Sequence, residues 1–373
     1  MSRILYVTTI SNTINAFLVP HIEMLIEQGH KVDIATNISE EIEHRLIELG
    51  CTIFNIEFNR SPINKSNILA YKKMKQLIID GDYDVVHVHT PVASFITRLV
   101  CKHLKDIKVI YTAHGFHFYK GAPLKNWILY YPLEWYASKF TDVIITINKE
   151  DFIRAKKLKA KEVEYVPGVG LDIDKFNNID VDKEKKRKEL GIPSDNILLL
   201  SVGELNKNKN HKVIIKALSE IENKNVHYVI AGRGRLKGDL IKLSVKLNIS
   251  DRVHLLGYRK DIGELYKVSD IFCFPSKREG LPVSVMEAMV CGLPVICSNI
   301  RGSNDLLDEG KGGFLFDLKK DVPKILNIYL RQLINDDKLR ESMSNYNANK
   351  VNEFDIESVK KCIHNILSNL EYN

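Results

Sequence analysis

The sequence predicts an α/β protein built from two doubly wound lobes, each with a parallel sheet. Short apolar, β-branched segments alternate with longer amphipathic segments along the whole chain, which is typical of βαβ units. The length of 373 residues allows two or three domains of roughly 100–200 residues each. Hydrophobic residues at 45% and charged residues at 27% exclude fibrous and disordered classes.

Five strands are predicted in the first half of the chain. They are Ile4–Thr8, Val32–Thr36, Val85–His89, Val109–Thr112 and Val143–Ile147. Between the first two, the pattern predicts a helix over Ala16–Gln28, and Gly29 is a typical stop signal. Ligands bind beyond the carboxyl ends of parallel strands, so the loops after these strands are candidate binding loops.

The second half repeats the pattern, with strands predicted at Ile197–Val202, Val226–Ala231, Val253–Leu255, Ile271–Phe274 and Pro294–Ser298. Turn-forming residues at 167–170 follow the strand-like Val163–Val166 and indicate a domain boundary. We therefore predict one domain over 1–167, a linker over 168–180 and a second domain over 181–354. The chain is helical after Pro323, and residues 355–373 could return to complete the first domain. The two lobes are expected to face a central cleft.

Charge and composition narrow the functional classes. The net charge is +7, and the segment from Arg98 to Lys161 holds thirteen Lys/Arg against five Asp/Glu, an excess of eight. This basic surface is either simply solvated or attracted to phosphates or an anionic membrane. The six cysteines include no C-x-x-C pair, which argues against a zinc site or a disulfide framework. Neither a signal peptide nor 18 consecutive apolar residues is present, so we expect a cytoplasmic protein, at most peripheral on the inner face of the plasma membrane.

The most informative segment runs from Phe274 to Met289, where a predicted strand leads through a loop into a short helix that begins near Pro282. Glu279 is expected in the loop and Glu287 about two turns into the helix. Two such carboxylates can each accept paired hydrogen bonds from vicinal hydroxyls. The alternative is structural, with Glu279 capping the helix and Glu287 in a surface ion pair.

Three further loops carry candidate residues. Gly203 and Lys209 follow one predicted strand, and Arg233 lies between two glycines after the next. The G-x-x-G part of a dinucleotide fingerprint is missing there, so a tight turn is the simpler interpretation. His114 follows a strand of the first lobe, where a histidine is more often structural than catalytic. His87 and His89 alternate with apolar residues and are expected on one side of the sheet.

The segment 274–289 resembles the E-x7-E signature of retaining family-4 glycosyltransferases of the GT-B fold, with Glu279 and Glu287 matching its two glutamates. Gly280-Leu281-Pro282, Glu287-Ala288-Met289 and residues 291–296 also match in order and spacing. The resemblance covers nearly the whole chain, which is similar to glycosyltransferases of bacterial capsule and exopolysaccharide synthesis. It implies that Glu279 lies by the donor sugar, that Glu287 binds the ribose, and that His114 lies near the sugar. The donor-binding residues it implies are Gly203, Lys209, Arg233, Gly280, Leu281, Pro282, Val283 and Glu287.

The sequence departs from the family at two places. Lys209 matches the family's phosphate-binding lysine, but Glu204 replaces its arginine, and Lys207 or Arg233 could supply the missing charge. The first strand–helix loop lacks the family's Gly-Gly pair; Thr9, Ser11 and Asn12 are the candidate acceptor-side residues there.

The resemblance implies a retaining hexosyltransferase. It would move a hexose or N-acetylhexosamine from a nucleotide diphosphate sugar, best guessed as a UDP-sugar, to a glycan or polyprenyl-linked saccharide. No Asp-x-Asp metal motif stands out, so neither a cofactor nor an obligatory divalent metal is expected, and nucleic acid is not an expected partner. The aromatic and basic segment 116–139 is either core or a membrane-interface element. Two alternatives remain open, a UDP-sugar 2-epimerase of the GT-B fold and a non-catalytic nucleotide-sugar- or glycan-binding protein.

Overall fold

A computed structural model describes residues 1–62, 64–104 and 106–372. The chain divides into two compact units. The first unit comprises Met1–Gly170 and Ile356–Asn373, and the second unit comprises Leu171–Asp355. None of the helices in the described ranges is both long enough and apolar enough to cross a membrane.

The first unit contains a seven-stranded parallel sheet in the order β3-β2-β1-β4-β5-β6-β7. The strands are β1 Arg3–Ile10, β2 Lys31–Asn37, β3 Ile53–Asn55, β4 Val85–His89, β5 Lys108–Ala113, β6 Val143–Thr146 and β7 Glu162–Tyr165. All five strands predicted in this half of the chain are present. The edge strand β3 was not predicted, because its three residues are too short for a period-2 pattern.

The helices of this part of the chain are α1 Ser11–Thr13, α2 Val19–Glu27, α3 His44–Glu48, α4 Ser66–Gly81, α5 Pro91–Cys101, α6 Leu124–Ser138 and α7 Lys149–Ala155. A π-helical turn over Ile14–Leu18 precedes α2. The single helix predicted over Ala16–Gln28 is therefore wrong in detail. Pro20 stands at the start of α2, where its missing N–H and fixed φ suit the first turn of a new helix.

The second unit contains a six-stranded parallel sheet in the order β10-β9-β8-β11-β12-β13. Its helices and strands follow along the chain as α8 Ile173–Asn177, α9 Lys183–Glu189, β8 Ile197–Val202, α10 Lys212–Ser219, β9 Val226–Ala231, α11 Lys237–Lys246, β10 Val253–Gly257, α12 Ile262–Val268, β11 Ile271–Phe274, α13 Val283–Val290, β12 Val295–Ser298, α14 Ser303–Leu306, β13 Gly313–Phe316, α15 Val322–Asn335 and α16 Asp337–Lys350. The five predicted strands are present, and β13 is an addition. Short 3₁₀ turns lie at Ser250–Arg252 and Val351–Phe354, and the last helix is α17 Ile356–Tyr372.

Helices cover both faces of the first sheet. Leu5 and Val7 of β1 pack in a core with α4 and α5, whereas Ile4 and Tyr6 pack in a second core with α2 and α17. Burial on both faces explains why these strands are nearly continuous apolar runs rather than alternating ones. These observations confirm the predicted fold class of two parallel-sheet, Rossmann-like domains.

The order of the strands determines which loops are neighbours at the carboxyl edge of each sheet. In each sheet the chain reverses its direction of growth once, between β1 and β4 in the first unit and between β8 and β11 in the second. Connections leave these neighbouring strands toward opposite faces, which opens a crevice at their carboxyl ends. The loops after β8 and β11 hold Lys209 and Glu279, and those after β1 and β4 hold Ser11 and Thr90.

Candidate active site

Lys209 and Glu279 form an ion pair in the second unit. The Lys209 Nζ lies 2.9 Å from Glu279 Oε1, and the two side chains are only 20% and 17% exposed. The Lys209 Nζ also lies 4.6 Å from the centre of the Phe274 ring. Partial burial strengthens the electrostatic interaction by excluding water. Two residues predicted separately from sequence, 70 positions apart, thus belong to one cluster.

Asparagines hold the lysine loop in place. The Asn206 side-chain oxygen accepts hydrogen bonds from the backbone N–H groups of Asn208 and Lys209, both at 2.9 Å. The Asn208 amide donates to the Arg278 carbonyl at 3.0 Å, and the Lys277 N–H donates to the Asn208 carbonyl at 2.9 Å. Sequence reasoning missed Asn206 and Asn208, although asparagines between a strand and a helix are typical of such turns.

Glycines let the loops approach closely. Gly203 has a φ of +150°, and a Cβ there would lie 3.1 Å from Lys209 Cε. A Cβ at Gly232 would lie 1.9 Å from the Gly203 carbonyl oxygen, and one at Gly302 would lie 2.1 Å from the Gly280 carbonyl oxygen. The path of the Lys209 side chain past β8 therefore depends on Gly203.

Glu287 lies on the helix that follows the Glu279 loop. Helix α13 begins at Val283 with Pro282 as its extended N-cap, so Glu287 is its fifth residue and lies just over one turn in, rather than the two turns predicted. The Tyr266 hydroxyl donates to Glu287 Oε2 at 2.8 Å. Burial raises the pKa of the Glu287 carboxyl, which the Tyr266 hydrogen bond and the nearby Lys175 partly offset.

The remaining predicted donor residues surround this cluster. Gly280 and Leu281 lie in the loop before α13, Pro282 is its N-cap and Val283 is its first residue; the first N–H groups of a helix have no partner within it. The Arg301 Nε donates to the Glu279 carbonyl at 3.0 Å, a contact that no local sequence signal predicted.

The two residues considered as replacements for the family's arginine lie elsewhere. The Arg233 guanidinium stacks over Tyr258, 5.2 Å from the ring centre. Lys207 lines a cavity of about 540 Å³ together with Lys212, Lys216 and Lys277. Neither is part of the Lys209–Glu279 ion pair.

His114 lies in the first unit, immediately after β5. Its Nε2 lies 3.1 Å from Nδ1 of His89, the last residue of the neighbouring β4. Burial lowers the pKa of His114 to about 4, with a smaller contribution from His21, so the ring is neutral at pH 7. His87 and His89 stack with ring centres 4.3 Å apart, which places both on one side of the sheet as expected.

The acceptor-side candidates have mostly structural partners. The Thr9 hydroxyl is 2.6 Å from the Thr90 hydroxyl. The buried Ser11 hydroxyl donates to the Glu40 carbonyl and accepts from the Glu40 N–H, at 2.8 and 2.9 Å. Asn12 is exposed, and its amide donates to the Glu40 carboxylate at 2.8 Å. Among these three, Asn12 presents the most accessible side chain.

No group of three His, Cys, Asp or Glu side chains that could hold a metal ion occurs in residues 1–62, 64–104 and 106–372. The candidate site holds the Lys209–Glu279 ion pair and the hydrogen bond of Tyr266 to Glu287. Such an arrangement can bind hydroxyl groups through Glu279 and Glu287 and an anion through Lys209.

Comparison with known proteins gives a consistent result. Residues 182–350 match the family model of glycosyl transferases group 1, and residues 3–148 match that of glycosyl transferase 4-like proteins. The putative glycosyltransferase EpsD of Bacillus subtilis is 35% identical over 85% of this chain and 84% of its own length. The UDP-Gal:alpha-D-GlcNAc-diphosphoundecaprenol alpha-1,3-galactosyltransferase of Escherichia coli is 33% identical over 78% of this chain and 76% of its own.

Among solved structures, Anabaena HepE in complex with UDP and glucose superposes with a TM-score of 0.82 at 19% identity, over 99% of this chain and 100% of the other. This likeness confirms the GT-B fold. The sequence matches confirm the family resemblance found from the motifs, and the chain belongs to the group 1 family of glycosyl transferases.

Proposed function

We propose that the protein is a retaining glycosyltransferase. It transfers a hexose or N-acetylhexosamine from a UDP-sugar to a lipid-linked saccharide in the synthesis of a surface polysaccharide. The observation that carries this proposal is the Lys209–Glu279 ion pair at the reversal point of the second sheet, followed along the chain by Glu287 on α13. The named activity of the Escherichia coli relative, which uses UDP-Gal and a diphosphoundecaprenol-linked GlcNAc, supports the donor and acceptor classes.

Each member of the cluster has a proposed task in donor binding. Lys209 neutralises the diphosphate, aided by the N–H groups at the start of α13. Glu287 accepts hydrogen bonds from the ribose hydroxyls through the oxygen that Tyr266 does not occupy. No divalent metal is required in this scheme, because Lys209 and backbone dipoles balance the diphosphate charge.

The chemistry proposed is front-face displacement through an oxocarbenium-like state. The bond from the anomeric carbon to the β-phosphate oxygen breaks, and the acceptor oxygen bonds to the same face of that carbon. The proton of the acceptor hydroxyl passes to the departing β-phosphate oxygen, which gives UDP. Glu279 and His114 orient the sugar and stabilise its developing charge.

The ion pair gives Glu279 a second role. The Glu279 carboxylate neutralises Lys209 and directs it toward the loop after β11. Binding of a diphosphate gives Lys209 a stronger anionic partner, and the freed carboxylate then faces the sugar. Donor binding and preparation of Glu279 are therefore coupled.

We also propose that α6 contacts an anionic membrane surface. Leu124, Ile128, Pro132 and Tyr136 recur every four residues along this helix and are all exposed, Leu124 to 74% and Ile128 to 69%. Their spacing places them on one face of the helix. The exposed Lys125 lies on the same helix and the exposed Lys139 directly follows its last residue, and apolar residues flanked by lysines suit the headgroup region.

Incubation with UDP-sugars distinguishes the proposal from its alternatives. With a lipid-diphosphate-linked saccharide present, the proposal predicts label transfer to the lipid and release of UDP. Without acceptor, it predicts an unchanged or slowly hydrolysed donor. Conversion into a second UDP-sugar would indicate an epimerase, and tight UDP binding without any turnover would indicate a binding protein.

A further inference from the structure

A cluster of aromatic rings lies beneath His114 in the first unit. Tyr6 of β1 packs against His87 and His89 of β4, with ring centres 4.8 and 5.4 Å apart. His89 in turn lies against His114, with 5.4 Å between ring centres. His89 is 2% exposed and Tyr6 is 1% exposed, so the cluster is part of the protein interior.

The contact between His89 and His114 couples the protonation of the two rings. Burial lowers the pKa of His114 to about 4 and that of His89 well below its ordinary value, so both are neutral at pH 7. A neutral imidazole has one N–H and one acceptor nitrogen. Because His89 Nδ1 and His114 Nε2 share one hydrogen bond, only one of these two nitrogens carries the proton. The tautomer of His89 thus decides whether His114 Nδ1 presents a donor or an acceptor.

A small cavity adjoins these rings. Its volume is about 20 Å³, and Tyr6, His21, His87, His89 and His114 are among its lining residues. The Tyr6 hydroxyl, His21 Nδ1, His87 Nδ1 and His89 Nε2 are buried, and none has a hydrogen-bond partner within the described part of the chain. The cavity can accommodate one water molecule, whose two donors and two acceptors suit such atoms.

One ring of this cluster has a defined tautomer. His21 Nε2 lies 2.8 Å from the Val169 carbonyl oxygen, which can only accept, so Nε2 carries the proton and Nδ1 is an acceptor. His87 is anchored as well, since its Nε2 lies 2.8 Å from the Thr112 hydroxyl. His89 therefore contacts the anchored ring of His87 on one part of its surface and the ring of His114 on another.

We propose that His89 is a positioning residue, which holds the His114 ring through its Nδ1 and fixes a single tautomer of that ring. The contribution of this contact to sugar transfer rests on the proposed function of His114. The effect of His89 on the tautomer of His114 is independent of that function. One measurement tests the tautomer and another tests the contribution to transfer.

The first test is spectroscopic and needs no turnover. Two-bond ¹⁵N–¹H correlation spectra of histidine-labelled protein at pH 7 report the tautomer of His114, assigned by the loss of its signals in His114→Ala. We expect one neutral tautomer in the wild type and a mixture of both in His89→Leu. His89→Asn retains a polar group near the position of Nδ1 and should preserve one tautomer. An unchanged single tautomer in His89→Leu would overturn the proposal.

The second test measures transfer kinetics. His89→Leu should lower kcat by roughly 10- to 100-fold with an unchanged KM for the UDP-sugar, because a misplaced group forfeits much of its effect. His89→Asn should recover most of the rate. In a His114→Ala background the His89→Leu change should cost nothing further, whereas a purely structural role would lower the rate again.

A matched control lies in the second unit. His227 Nδ1 and His254 Nε2 are 3.0 Å apart, with ring centres separated by 5.3 Å, so this pair resembles His89–His114 in geometry. His254→Leu should leave kcat unchanged. A rate loss in His254→Leu equal to that in His89→Leu would refute a specific role for His89. If the wild type transfers no sugar, the proposed function fails, and the spectra still decide the assignment of His89.

Discussion

Replacement of Lys209 by alanine tests the proposed diphosphate site. The change removes the cation that forms the 2.9 Å ion pair with Glu279 and that would contact the diphosphate. A hydrogen bond to a charged group contributes about 1.5–3 kcal/mol. Its loss should weaken UDP binding by roughly 10- to 150-fold at 25 °C, since each 1.4 kcal/mol is about tenfold.

The ion pair makes a second variant informative. The Glu279 side chain is only 17% exposed in the ion pair, and without Lys209 it lacks its cation and repels a bound diphosphate. Adding Glu279→Gln to Lys209→Ala should therefore recover part of the lost UDP affinity. Glu279→Gln alone should bind UDP at least as tightly as the wild type and transfer sugar poorly.

Calorimetric titration with UDP measures these affinities, and thermal unfolding without ligand confirms that each variant is folded. The matched control is Lys207→Ala, which changes an exposed lysine two residues away on the same loop. We expect less than a threefold change in that control. An affinity for UDP that is unaltered in Lys209→Ala, or reduced more in Lys207→Ala, would refute the assignment of Lys209.

Three further predictions follow from other parts of the structure. Gly203→Ala should weaken UDP binding measured by calorimetry, because the new methyl group would lie 3.1 Å from Lys209 Cε and residue 203 has a φ of +150°. An affinity equal to that of the wild type would contradict the proposed path of the Lys209 side chain. Acidification from pH 6.5 toward 4 should lower the midpoint of thermal unfolding. The pKa of His114 is about 4 in the folded protein, so below pH 6.5 unfolding takes up a proton at this ring and the stability present above pH 6.5 is lost. A constant midpoint would show that the ring titrates normally. Ile128→Ser should reduce the amount of protein that sediments with anionic liposomes at low salt. The control is Ile68→Ser on α4, which changes a comparably exposed isoleucine and should not reduce sedimentation. Equal binding of both variants would exclude α6 as the membrane contact.

The sequence was sufficient to predict the sheets because their strands are buried on both faces. Such strands are short apolar runs between turn-forming residues. Ten of the thirteen strands were predicted in full or to within two residues at either end. The strand-like segment Val163–Val166 also located β7. The two omissions, β3 and β13, have three and four residues and include polar residues or glycine. The single helix predicted over Ala16–Gln28 is wrong in detail, because a periodic apolar pattern does not distinguish a π-helical turn from an α-helical one.

Candidate site residues could be predicted from the sequence only where residues of the required chemical type lie close together in one segment. Glu279 and Glu287 lie in one strand–loop–helix segment, which carried the resemblance to the family. The ion pair of Lys209 with Glu279, and the hydrogen bond of Tyr266 to Glu287, join residues 70 and 21 positions apart. Pairs of this kind depend on which strands are neighbours in the sheet, and no local pattern encodes that.

On the acceptor side, the predicted residues also have a structural use. Hydroxyl and amide side chains in the segment after β1 suggest a polar binding site, which stays a prediction. In the structure, the Thr9 and Ser11 hydroxyls bond to Thr90 and to the Glu40 backbone. A polar side chain at a strand end can satisfy buried backbone groups as well as a ligand, and sequence alone does not separate the two uses.

The central claim is that this protein transfers a sugar from a UDP-sugar to a lipid-linked saccharide, and product analysis tests it most directly. Purified protein would be incubated with a panel of labelled UDP-sugars and a diphosphoundecaprenol-linked N-acetylhexosamine, and the product examined for its linkage. The account predicts label in the lipid fraction through an α-glycosidic bond, released UDP, and loss of most of this turnover in His114→Ala without loss of UDP affinity. A β-linked product, or no labelled lipid while a second UDP-sugar accumulates, would contradict it.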